Sequence, residues 1–205
     1  NVSLLRKGRL AMIEDIRLSR SVTIAKYRQL EAEKNRESIA EFVLERFTER
    51  YIIPLQVDPN RKHGFCTLAI CCLMIEALES FWKGWSDTQG RSRKAFRSFF
   101  KRCKEQGSQI GVFSEIADDF YEGVRCGILH QAETTRGWRI RRKGPLYDPN
   151  TKTINATMFH NKLEKVLEAY CNELKRSEWD SEVWNNLRTK MASVIENCKP
   201  DASQQ

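Results

Sequence analysis

The chain has 205 residues, of which 40% are hydrophobic and 30% charged, and carries a formal net charge of +8. That size supports one substantial core with a small appendage. The composition excludes a disordered or fibrous chain, and the basic excess favours a polyanionic partner, with plain solubility as the competing reading. No run of about 18 residues is both apolar and free of charge, so no membrane span is expected. No signal peptide is visible, and the start at Asn1 leaves room for upstream sequence.

The seven cysteines (66, 71, 72, 103, 126, 171 and 198) form neither a CxxC pair nor a Cys/His block at zinc spacing. No metal and no cofactor are therefore expected, and the thiols read as reduced and the protein as cytoplasmic.

Residues 1–35 are charged and weakly periodic; they are expected to form an N-terminal helical arm, with Ile24, Tyr27 and Leu30 lining a short helix. From Arg36 the pattern firms. Ile39, Phe42, Val43, Phe47 and Tyr51 follow helical spacing, Pro54 is expected to end the helix, and Asp58-Pro-Asn60 reads as a turn. Residues 36–198 then read as a single all-α domain, a helical bundle with a small inserted β-hairpin, and 199–205 as a tail.

The stretch Gly64 to Trp85 is the most apolar, nearly all round, and predicts a central core helix. Glu76 and Glu79 are its only acids. A buried carboxylate needs a partner, so one of them is a candidate to orient Arg125 from the neighbouring helix; exposure or a routine ion pair is the alternative.

Between Arg91 and Lys104 there are seven basic residues and no acids. Phe96, Phe99, Phe100 and Cys103 fall on one face, leaving Arg91, Arg93, Lys94, Arg97 and Lys101 to form a basic face suited to phosphates, or simply a solvated one. Next comes a helix expected from about Ser114, with Ile116, Phe120 and Val124 on its apolar stripe and the run Arg125-Cys-Gly-Ile-Leu-His130 late in it. A histidine can take a proton from a ribose 2′-hydroxyl or give one to a leaving 5′-oxygen. An arginine matches the charge that accumulates on a phosphate during displacement. Five steps leave the two residues roughly 140° apart on an ideal helix, so they converge only through a bend near Gly127 or across a dimer. The competing reading pairs Arg125 with Glu122 one turn back and lets His130 cap a helix end.

On this run the chain resembles the HEPN superfamily, whose mark is an Arg-x4-6-His motif late on a helix of a small all-α protein. The resemblance spans roughly residues 61–174. It implies a metal-independent endoribonuclease, in a toxin or anti-phage setting, acting as a homodimer with a composite active site. Arg125 would contact the scissile phosphate and His130 would be general acid or base. An acid on the adjacent helix is common there, which points to Glu76 or Glu79, and an antitoxin or regulatory partner is a common companion. Cys126 departs from the Asn, Asp or His often found after the arginine, and Ala132 stands where one toxin branch has a nucleotidylated tyrosine. A non-catalytic RNA- or nucleotide-binding module, or a dimerisation module acting with a larger partner, is the alternative.

Beyond the motif, Arg136, Arg139 and Arg141 alternate with Trp138 and Ile140, and two turn signals follow. This predicts a β-hairpin at about 136–155 whose guanidinium groups and Trp138 suit single-stranded RNA, or whose tryptophan packs on the body. A helix from Asn155 or Thr157 and a last one over about 180–197 complete the chain; His160 reads as a surface or capping residue.

Overall fold

The computed structural model describes residues 13–56 and 63–199. It is a mainly helical fold with one small inserted sheet, in agreement with the hydrophobic periodicity. The helices are α1 (Ile24–Ala32), α2 (Arg36–Phe47), α3 (Ile53–Gln56), α4 (Gly64–Lys83), α5 (Ser92–Glu105), α6 (Ala117–Phe120), α7 (Gly127–Gln131), α8 (Ala156–Arg176) and α9 (Glu182–Glu196). The expected turn Asp58-Pro-Asn60, residues 1–12 of the expected N-terminal arm and the expected tail beyond Lys199 lie outside the described residues.

The chain divides into two compact units. One combines the residues through Glu49 with Phe81–Ser86 and the chain from Tyr170 onward. Here α1 is capped by Thr23, whose side chain accepts the Lys26 N–H, and buries Ile24, Tyr27 and Leu30. Tyr27 meets Phe42, Phe47 meets Phe81, and Trp82 meets Tyr170 edge-on at 4.7 Å. Trp184 is fully buried and donates its indole N–H to the Leu174 carbonyl. Large aromatics with a satisfied polar tip are efficient core fillers.

The other unit runs over Arg50–Ser80 and Asp87–Ala169. Pro54 does not end the preceding helix. A π-turn over Thr48–Ile52 widens the backbone, and Pro54 then sits in the first turn of α3, where a missing N–H is tolerated. At the centre, Phe96, Phe100, Phe113, Phe120 and Phe159 form one aromatic cluster with ring centroids 5.1–6.0 Å apart. α4 is long and apolar enough to cross a membrane by length and composition, with a mean hydropathy of 1.7. Within this unit it buries Leu68, Met74, Ile75 and Leu78, yet Phe65 and Leu73 are exposed, so it is not covered on all sides.

The inserted sheet contains β1 (Arg139–Arg141), β2 (Tyr147–Asp148) and β3 (Thr153–Asn155), in the order β1-β3-β2. The strand after the first turn signal does not pair back on β1. The hairpin is instead β2–β3, antiparallel, with Tyr147 opposite Ile154, while β1 lies parallel to β3. Asn155 sets this arrangement: its amide donates to the Gly144 carbonyl, and its backbone N–H bonds Leu146. The same side chain caps α8 by accepting the Met158 N–H.

Candidate active site

The segment carrying Arg125 is not one regular helix. A 3₁₀ stretch (Gln109–Ile116) leads into α6, a π-turn covers Tyr121–Cys126, and α7 follows. The widened turn leaves the Gly123 carbonyl to accept the Thr135 N–H at 2.8 Å. Two glycines one turn apart admit the returning chain. A Cβ on Gly123 would stand 2.2 Å from the Trp138 ring, and one on Gly127 would stand 2.6 Å from the Glu133 carbonyl oxygen. Gly127 therefore serves close backbone approach, and the departure from α geometry lies just before it.

Arg125 is held from α4. Its Nε donates to Glu76 Oε1 at 2.9 Å, with side chains only 20% and 11% exposed. The other Glu76 oxygen accepts from Thr88 and Ser92 hydroxyls at 2.9 and 2.7 Å, so the carboxylate is fully engaged. Burial pulls the Arg125 guanidinium pKa down, but Glu76 outweighs this and holds it above its ordinary value. The Arg125 terminal nitrogens make no hydrogen bond to the described residues, and its guanidinium carbon lies 5.6 Å from the centre of the Tyr121 ring. Arg93 approaches that ring at 5.2 Å, so Tyr121 is a platform shared by two cations. Tyr121 was readable in principle, as an aromatic residue four before Arg125. Its hydroxyl pKa is raised by burial and by a hydrogen bond involving Cys126.

Glu122 does not pair with Arg125. Backbone rotation per residue is smaller in a π-turn, which swings Glu122 away from Arg125, and Glu122 instead binds Arg93 at 2.5 Å and Arg136. Glu79 is fully buried but serves α5, accepting from Ser98 and lying 3.4 Å from Arg102. His130 is exposed in the last turn of α7, before Ala132 in the left-handed conformation, and hydrogen-bonds no described residue. Beside Arg125 is an apolar hollow of about 110 Å³, lined by Ala69, Cys72, Leu73, Ile128 and Leu129. Leu73 and Leu129 are 55% and 58% exposed there.

The expected RNA-facing residues divide into three groups. Arg93 and Arg97 are paired with acids of the α6 region: Arg97 grips Asp118 through two bonds of 2.6 Å, which hold that carboxyl below its ordinary range. Arg136 likewise approaches Asp119, and Lys101 lies 3.8 Å from Glu105. Arg91, Lys94, Arg139 and Arg141 are exposed, the last two flanking Ile140 on the edge strand β1. Trp138 is not a stacking platform. It is 3% exposed, packs on Phe120 and Tyr147, and donates its indole N–H to Asp119 at 3.1 Å. Close approach to Gly123 draws the ring inward. His160, read as a surface or capping residue, is buried.

All seven cysteines are free thiols, and no cluster of three or more metal-ligating side chains occurs among the described residues. No protein-family model, curated protein or solved structure matches the chain.

Proposed function

We propose that the protein is an endoribonuclease that cleaves RNA by metal-independent transesterification, as the resemblance to HEPN enzymes implies. The observation that carries this reading is the mounting of Arg125. A carboxylate holds its Nε, leaving the two terminal nitrogens available for a phosphate's oxygens. In the reaction a 2′-hydroxyl gives its proton to a histidine and its oxygen bonds the adjacent phosphorus. The 5′-oxygen leaves with a proton from a second acid, producing a cyclic phosphate and a free 5′-hydroxyl. Arg125 stabilises the charge on the phosphoryl oxygens, and His130 transfers protons.

One chain offers one His130, and helical spacing sets it well around the axis from Arg125. A second copy supplies the other proton-transfer group. The exposed Leu73 and Leu129, adjoining the Arg125 hollow, support a homodimer through that face. Introducing Leu73→Asp together with Leu129→Asp is expected to convert a dimer to a monomer in sedimentation and to abolish cleavage. A wild-type monomer that cleaves RNA would exclude the composite site.

A second reading, a non-catalytic dimerisation module working beside a larger partner, draws on the carboxylate pairing of Arg93, Arg97 and Arg136. That version predicts neither cleavage nor salt-dependent RNA binding.

A further inference from the structure

Glu76 holds Arg125 through one hydrogen bond, from Nε at 2.9 Å. A single bond fixes that edge of the guanidinium but leaves its plane free to swing about the N–H···O axis. The Tyr121 ring supplies the second constraint, because the Arg125 guanidinium carbon stands over its face, 5.6 Å from the centre. An aromatic face attracts a cation more strongly as water is withdrawn from it, and the Arg125 side chain is only 20% exposed.

The ring is itself anchored. Tyr121 opens the π-turn that ends at Cys126. Five steps would set these two residues roughly 140° apart on an α-helix; the wider turn brings them toward one side, and the Tyr121 hydroxyl shares a hydrogen bond with Cys126. The ring also meets the fully buried Phe96 edge-on at 5.5 Å. Arg93 stands over the same ring at 5.2 Å, but Glu122 at 2.5 Å and Asp118 at 3.9 Å hold it. Each guanidinium on this ring thus has its own carboxylate, which offsets the repulsion between them. A backbone turn, a core aromatic and a thiol fix the ring, and the ring fixes a plane.

We propose that Tyr121 is a positioning residue for Arg125: its π-face sets the plane of the guanidinium, and so the direction in which the two terminal nitrogens meet a phosphate. Tyr121 touches no substrate and acts only through Arg125. The effect on turnover rests on the ribonuclease reading, whereas the mounting of Arg125 does not.

The test compares Tyr121→Phe, phenylalanines of increasing ring fluorination at position 121, and Tyr121→Leu, all in the full chain. Fluorine drains the negative charge of the ring face while nearly preserving its size, so a fluorinated series with matching thermal midpoints separates the π-face from packing. Two quantities are read: kcat and KM on RNA, and side-chain NMR of Arg125, assigned by loss of its signals in Arg125→Lys. Tyr121→Phe is expected to keep kcat within about twofold, because a phenyl face also attracts a cation. Stepwise loss is expected with fluorination, reaching about tenfold or more in Tyr121→Leu with KM little changed. The Arg125 guanidinium is expected to become more mobile in the same order. Fluorinated rings that match Tyr121→Phe in both kcat and Arg125 mobility overturn the proposal. A loosened Arg125 with unchanged kcat overturns the catalytic role alone. If the wild type cleaves no RNA, the ribonuclease reading fails separately, and equal Arg125 mobility in wild type and Tyr121→Leu then overturns the mounting.

Discussion

Glu76 combines two roles in one side chain, ordering Arg125 and tying the start of α5 to α4 through Thr88 and Ser92. Removing it strands a guanidinium that is only 20% exposed. Loss of one partner from a largely buried ion pair costs about 3 kcal/mol, so Glu76→Ala is expected to lower urea stability by about that amount. Glu76→Gln keeps the shape and the hydroxyl contacts. It is expected to retain RNA binding while losing about tenfold in turnover, which corresponds to about 1.4 kcal/mol of transition-state stabilisation. Unchanged turnover in Glu76→Gln would leave Glu76 a purely structural residue. That an acid of α4 meets Arg125 was legible from two carboxylates in an otherwise apolar helix. Which acid was not: Glu76 and Glu79 are three residues apart, and the choice depends on Ser98 and Arg102 of α5 engaging Glu79.

The motif helix shows how an element departs from its sequence pattern for a reason outside itself. Gly123 and Gly127 form a groove into which 133–138 folds, and the π-turn provides the carbonyl that anchors Thr135. Gly123→Ala places a methyl group against the Trp138 indole, and overpacking of a core typically costs about 1–3 kcal/mol. Denaturant unfolding is expected to show that loss, with near-UV circular dichroism reporting a displaced tryptophan. An unaltered midpoint would mean that the segment around Trp138 yields freely. A sequence displays a glycine but not the neighbour that requires it, so Gly127 was readable only as one place for a bend, and Trp138 stood undecided between stacking on RNA and packing on the body. The long amphipathic patterns of α5, α8 and α9 were legible because packing enforces a face rather than a single contact. β1 was misassigned for the opposite reason, since three residues of alternation do not specify which strand they pair with.

At the scale of the whole molecule, charge is organised by pairing. A net +8 suggested an open basic face, yet acids of the α6 region engage Arg93, Arg97, Arg136 and Lys152. Composition records the excess but not which basic side chains stand beside the acids. Burial also sets the response to alkali. It pushes the Cys103 thiol from an ordinary value of 9.0 up to about 12 and raises the Tyr27 hydroxyl above its own range. Both groups keep their protons in the folded state after the unfolded chain begins to lose them. Their contribution is complete below the unfolded pKa and declines as pH rises above it. Urea midpoints under reducing conditions are therefore expected to fall steadily above about pH 9, and less steeply in Cys103→Ala. A midpoint constant to pH 11 in the wild type would contradict the burial of these groups.

The proposed chemistry assigns proton transfer on RNA to His130 and charge stabilisation to Arg125 in a site completed by a second copy. The most direct measurement incubates wild type and His130→Ala with mixed RNA in EDTA and analyses the ends produced. Cyclic-phosphate and 5′-hydroxyl ends from the wild type alone, with RNA binding retained in the variant, are the predicted result. Cleavage by His130→Ala at the wild-type rate would contradict it.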